Sequence, residues 1–144
     1  MIQMSDFAVT DTPDESDLNV LRDGLATHAK QHHIAPYRQD KLAVFARNTA
    51  GKIIGGATGF TVWQSLVLEM VWVDEAHRGK GLAKNLVERS EHEAVKRGCD
   101  VAYLWTAKFQ APGLYPKLGY TPMTGSTLSI NETRRTYFMK RLAA

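Results

Sequence analysis

The stretch Arg78-Gly79-Lys80-Gly81-Leu82-Ala83 combines the residue types that hold an anion through the backbone. It follows an apolar run, Leu66 to Val73, interrupted only by Glu69, and it opens a segment of helical periodicity. A strand that ends in a glycine turn and starts a helix leaves backbone N–H groups unpaired. They point outward at the positive end of the helix dipole. Glycine at 79 and 81 removes the Cβ atoms that would hold a phosphate off the backbone. The chemistry implied is a cradle for a phosphate or pyrophosphate. Lys80 and Lys84 flank it, and basic residues at a helix start oppose the dipole unless an anion is present.

Other side chains with chemical potential are fewer. Glu69 is the single charge in its strand and reads either as a base or as a glutamate reaching solvent or a structural partner. His28, His32 and His33 have metal-like spacing but lack a companion cluster of carboxylates or cysteines, so they read as a solvated helix end and no metal is expected. Cys99 reads as a small buried apolar residue rather than a nucleophile. Trp63 and Trp72 read as core or cleft wall, Trp105 as core, and Arg134-Arg135 as a solvated turn.

The elements that must position these residues follow from periodicity. Phe7 to Thr10 reads as a short strand. Thr12-Pro13-Asp14-Glu15 then starts a helix, with threonine as cap and proline in the first turn, and Leu18, Leu21, Leu25 and Ala29 form its apolar stripe. A loop from His28 to Tyr37 follows. Leu42 to Arg47 alternates as a strand and stops at Asn48-Thr49-Ala50-Gly51, which is hairpin chemistry. Lys52 to Val62 is the next strand, and its Gly55, Gly56 and Gly59 mark bulges or backbone crowding. Trp63-Gln64-Ser65 turns the chain into Leu66–Val73. A helix is expected from Gly79 to Arg97, with Leu82, Leu86, Val87 and Ala94 inward and Gly98 ending it. Cys99 to Thr106 is an apolar strand, Pro112 to Leu118 a short helix closed by Gly119, Tyr120 enters a further strand, and Thr136 to Leu142 is the last. Strand, helix, strand at this spacing is a right-handed crossover between parallel strands. The expected fold class is mixed α/β, a central and mostly antiparallel sheet with one parallel crossover.

Bulk properties set the outer bounds. The 144 residues, 44% of them hydrophobic, fit one domain spanning 1–144. A net charge of +3 without a clustered basic stripe argues against nucleic acid as a partner. The lone cysteine cannot form an internal disulfide, and no basic-then-apolar leader or run of ~20 apolar residues is present. A cytoplasmic protein without a membrane partner is therefore expected.

This element order, with a glycine turn after the antiparallel strands, resembles the GNAT superfamily of N-acetyltransferases. Arg78, Gly81 and Ala83 satisfy its Arg/Gln-x-x-Gly-x-Gly/Ala motif. Ala111-Pro112-Gly113-Leu114-Tyr115-Pro116-Lys117-Leu118-Gly119-Tyr120 resembles its Ala-x-x-x-Tyr-x-Lys-x-Gly-aromatic block. The resemblance covers essentially the whole chain. It implies acetyl-CoA as co-substrate and strands splayed apart at its site, with the pantetheine along Val71, Trp72 and Val73. The pyrophosphate would lie on the N–H groups between Gly79 and Lys84. It further implies Tyr115 as general acid, Glu69 as candidate base and a backbone N–H near Val73 as oxyanion donor. Many members carry asparagine where this chain has Lys108, and Gln110 is the substitute, as in a subgroup with Phe-Gln-Ala here. The acceptor implied is an amine of a small molecule or peptide, with the segment around His28–His33 flanking its cleft. Homodimers are common among such proteins. The alternative is a member that binds acyl-CoA as a sensor without turnover, against which the retained Tyr115 argues.

Overall fold

The computed structural model describes residues 6–107, 110, 113–123 and 135–142. The chain divides into two units, Met1–Tyr37 and Arg38–Ala144.

The first unit is built on helix α1, Glu15–Gln31. The helix begins later than Thr12 and Pro13 imply. Asp14, in extended conformation, is its N-cap, and its carbonyl accepts the N–H groups of Asp17 and Leu18 at 3.1 Å each. Glu15 and Asp17 then place negative charge at the positive end of the dipole. Phe7 to Thr10 forms no strand, contrary to its apolar pattern. A segment of that length is not stable as a strand by itself.

The second unit carries one sheet of β1 (Asp40–Arg47), β2 (Ile53–Val62), β3 (Ser65–Val73), β4 (Val101–Ala107), β5 (Thr121–Pro122) and β6 (Arg135–Arg141). Helix α2 (Leu82–Lys96) links β3 to β4, and the short α3 (Leu114–Lys117) precedes β5. The strand order is β1-β2-β3-β4-β6-β5, with β3 and β4 parallel and every other pair antiparallel. The β1–β2 hairpin is held by Asn48, whose Oδ1 accepts the N–H groups of Ala50 and Lys52 at 3.0 Å each.

Alternation along β2 explains where α2 packs. Gly55, Ala57, Gly59 and Thr61 are buried on one face, and small side chains there let the helix approach the sheet. A Cβ on Gly55 would come within 3.2 Å of Leu86 and 3.3 Å of Leu82, the two leucines of α2 that fill this space. Leu66, Leu68, Ala102, Leu104 and Phe138 extend the same face, and Val87, Ala94, Tyr115, Leu118 and Tyr120 cover it. At its other end α2 closes on Gly98, with the Cys99 N–H bonded to the Ala94 carbonyl at 2.9 Å. Arg97 then clips the helix to the sheet edge, donating to the carbonyls of Asp40 and Lys41 at 3.2 and 3.1 Å.

Candidate active site

β3 and β4 pair only from Ser65 to Val67 against Val101 to Tyr103, although β3 continues to Val73 and β4 to Ala107. Beyond Val67 the two strands part. β3 stays on β2 as far as Gly55↔Val73, and β4 stays on β6 as far as Ala107↔Arg135, so a gap opens between them. Its cause is local. The β2–β3 register passes from Thr58↔Met70 to Gly59↔Leu68, which leaves Glu69 as the extra residue of a bulge. A bulge bends its strand and resets which side chains face inward. Accordingly Leu66 and Leu68 are buried before it, Val73 is buried after it, and Glu69 and Met70 are both exposed. Gly59 makes this possible, because a Cβ there would lie 1.9 Å from the carbonyl oxygen of Val67.

The gap runs straight onto the glycine turn. After Val73 the chain makes a single 3-10 turn, Glu75–His77, and Arg78 folds back so that its Nε donates to the Val73 carbonyl at 2.9 Å. Gly79 and Gly81 both have left-handed backbone, φ 77° and 81°. The helix therefore starts at Leu82 rather than at Gly79, with Gly81 as N-cap. No side chain caps it and no acid sits in its first turn. The first carbonyl-bonded N–H is that of Asn85, on Gly81 at 3.1 Å, and those of Leu82, Ala83 and Lys84 precede it. Nothing lies within 4 Å of the place a Cβ would take on Gly79 or Gly81. The turn is thus an open concavity of backbone donors with Lys80 and Lys84 beside it, and its shape and charge fit a pyrophosphate.

Tyr115 lies in the core cluster with Leu68 of β3 and Leu104 of β4, the strands that flank the gap. Its ring meets Phe138 and Tyr120, with centroids 5.9 Å from each. Burial pushes its hydroxyl above the ordinary tyrosine value. The phenol therefore keeps its proton throughout the neutral range.

The structure brings Glu69, Val71, Trp72, Val73 and the turn from Arg78 to Lys84 along one side of the gap. Gln110 lies past the end of β4, and its Oε1 accepts the Ala107 N–H at 2.9 Å. Lys108, Phe109, Ala111 and Arg134 lie outside the described residues. Two expectations are corrected. Trp105 is not core but 48% exposed, on the sheet face away from α2, and Arg135 is no turn residue but part of β6. The Trp105↔Tyr137 and Ala107↔Arg135 pairings set the guanidinium 4.7 Å from the indole centroid. Trp63 and Trp72 are likewise about half exposed, so neither is a core residue.

One group escaped the sequence reading. Glu91 of α2 is buried, and it accepts a 2.7 Å hydrogen bond from the Tyr120 hydroxyl and pairs with Lys140 at 2.9 Å. The available signal was a charge on the apolar stripe of α2, one turn from Val87. Among the described residues no cluster of three His, Cys, Asp or Glu side chains could hold a metal ion, and no helix is long and apolar enough to cross a membrane.

Comparison with known proteins places this geometry. Residues 7–120 match the Acetyltransferase (GNAT) family. An acetyltransferase of Agrobacterium fabrum is 32% identical over 80% of this chain and 83% of its own length. Blasticidin-S acetyltransferase of Streptomyces morookaense is 39% identical over 54% of this chain, and the chain spans 58% of that protein's length. Among solved structures, an acetyltransferase from Agrobacterium tumefaciens superposes with a TM-score of 0.77 at 30% identity, covering 94% of this chain and 98% of its own. An acetyltransferase from Bacillus cereus shares the fold at a TM-score of 0.76 and 24% identity, with the same coverage. The splayed parallel strands, the glycine turn between them and these relatives agree: the chain belongs to the GNAT family of acetyltransferases.

Proposed function

We propose that the chain transfers the acetyl group of acetyl-CoA to a primary amine of a small molecule by direct attack within a ternary complex. The observation that carries this reading is the gap between β3 and β4 opening directly onto the donor-lined turn at Gly79–Lys84. The edge of β3 from Val71 to Val73 pairs with no strand on the β4 side among the described residues, and it suits an extended pantetheine arm that bonds like an added strand. The turn's N–H groups would hold the pyrophosphate, with Leu82 and Ala83 contributing backbone and Lys80 and Lys84 contributing charge. Arg78 acts by shaping the turn through its bond to Val73. Gln110, its Oε1 engaged with Ala107, would offer its Nε2 to the pantetheine, as expected of the Phe-Gln-Ala subgroup.

The residue roles follow from the chemistry. Glu69 takes a proton from the acceptor ammonium, directly or through water. The free amine attacks the thioester carbonyl, and a β3 backbone N–H near Val73 stabilises the oxyanion. The carbon–sulfur bond breaks as Tyr115 donates its proton to the departing thiolate, a leaving group of pKa near ~8.5, and the proton that the acylated nitrogen sheds returns to the tyrosinate. The products are the N-acetylated amine and free coenzyme A.

A small-molecule acceptor is supported by the relative named for blasticidin S. The test is thiol release from acetyl-CoA by the purified protein with a panel of amines that includes blasticidin S. Saturable release with at least one amine above the no-acceptor background is expected. Acetyl-CoA binding without release on any amine would replace this reading with a non-catalytic acyl-CoA sensor.

A further inference from the structure

Val87, Glu91 and Ala94 fall on one stripe of α2, and all three are buried. Glu91 is 8% exposed, yet both its oxygens are engaged: Oε2 accepts from the Tyr120 hydroxyl at 2.7 Å, and Oε1 meets Lys140 Nζ at 2.9 Å. The ammonium also lies 5.6 Å from the centre of the Tyr120 ring. The Lys140 methylenes run past Gly119, where a Cβ would come 3.3 Å from Cε. Burial first, and then the bond to Glu91, hold the Tyr120 hydroxyl far above the tyrosine range, so it remains a donor. A buried pair of this kind gains little over apolar side chains of equal volume, because desolvation offsets the attraction. Stability alone is therefore a weak reason for it.

Its neighbours supply a better reason. The Tyr120 ring stands edge-on to Tyr115 at an interplanar angle of 79°, and the Tyr120 N–H bonds to the Tyr115 carbonyl at 3.0 Å. Phe138, two residues before Lys140 on β6, meets the Tyr115 ring as well. Among the described residues, both aromatic rings that contact Tyr115 are thus carried by segments tied to Glu91. Glu91 in turn sits on the helix whose first turn forms the anion cradle.

We propose that Glu91, with Tyr120 and Lys140, is a positioning unit that fixes the Tyr115 ring relative to the cradle helix, so that the proton donor and the bound coenzyme keep one geometry. The inference rests on Tyr115 as proton donor. Side chains that hold a reacting group in place matter at the level of ~1 Å, where misplacement costs up to about 10²-fold in rate.

Tyr120→Phe is the decisive variant, since it keeps the ring and removes one oxygen. With tyrosine labelled at 13Cζ and coenzyme A as the probe, the wild-type Tyr115 resonance is expected to be single and sharp. In Tyr120→Phe it broadens or splits, while coenzyme A affinity stays within about twofold. In the transfer assay, with blasticidin S or the most active amine of the panel as acceptor, Tyr120→Phe lowers kcat about tenfold with KM for acetyl-CoA little changed. The same substitution in a Tyr115→Phe background costs nothing further, because the two residues act as one unit. Lys140→Arg retains kcat and Lys140→Met does not, with melting temperatures controlling for loss of fold. An unchanged Tyr115 resonance in Tyr120→Phe overturns the proposal, as does a kcat loss that persists in full in the Tyr115→Phe background. Wild-type kcat in Tyr115→Phe alone would instead remove the proton-donor reading, and the resonance then decides the positioning role by itself.

Discussion

Tyr115 is packed between two aromatic rings in an apolar cluster, and desolvation keeps its hydroxyl protonated. A group so placed carries its proton at neutral pH, as the proposed general acid requires. Tyr115→Phe is expected to lower kcat by about 10²-fold with little change in acetyl-CoA affinity, as steady-state kinetics and calorimetry together will report. Glu69 differs in setting: it is the exposed residue of a bulge. Glu69→Gln should lower kcat/KM for the acceptor amine at least about tenfold with coenzyme A affinity little changed, and an unaltered kcat/KM would exclude it as base. Tyr115 and Glu69 were both visible in the sequence, one by its motif and one as a lone charge among apolar neighbours. The partnership of Glu91 with Tyr120 and Lys140 was not, because a residue 29 and another 49 positions away supply its two contacts. Cys99, read as a small buried residue, is 4% exposed, and burial above all raises its thiol.

At the level of elements, two glycines do separate jobs. Gly81 has φ 81°, which an L side chain adopts only with strain, and it is the N-cap of α2, the helix proposed to face the pyrophosphate. Gly81→Glu adds both strain and a like charge. Coenzyme A affinity measured by calorimetry should fall by about 10²-fold or more, and unchanged affinity would remove the cradle. Gly59 is required for space. Its missing Cβ accommodates the Val67 carbonyl beside the Glu69 bulge, and the nearest atoms are all backbone of Val67 and Leu68, so no flexible side chain can yield. Gly59→Ala is expected to destabilise the protein by about 3 kcal/mol, a fall in Tm of roughly 10 °C in a thermal melt. The crowding in β2 was legible from Gly55, Gly56 and Gly59, as was the parallel crossover from strand-helix-strand spacing. The start of α2 was displaced by three residues, since the same glycines that mark a turn also fit the helical pattern that follows.

For the molecule as a whole, the core of the Arg38–Ala144 unit lies between α2 and the sheet, and its two largest polar-tipped members are Tyr115 and Tyr120. Both hydroxyls titrate above the tyrosine value in the folded state, Tyr115 through burial and Tyr120 through burial and then Glu91. The folded state therefore binds these protons more tightly than the unfolded chain. Their contribution is fully present below about pH 10 and is lost as pH rises through the folded values. Denaturant melts between pH 9 and 11.5 (values chosen to bracket the unfolded tyrosine pKa of about 10) should show stability falling by up to about 1.4 kcal/mol per pH unit for each group. In Tyr120→Phe the fall should be shallower, and an equal slope would show that Tyr120 does not contribute.

The sequence by itself determined the order of the elements from the first helix onward, the crossover between parallel strands and the position of the glycine turn. These depend on spacing within a few residues, where periodicity and glycine act locally. The tertiary structure decided where β3 leaves β4, that Trp105 stands half exposed under Arg135, and that Glu91 ties Tyr120 to Lys140 behind Tyr115. Each of these is set by strand register or by packing between distant segments. A one-residue bulge or pairing offset changes which side chains meet, and no local pattern in the chain records it.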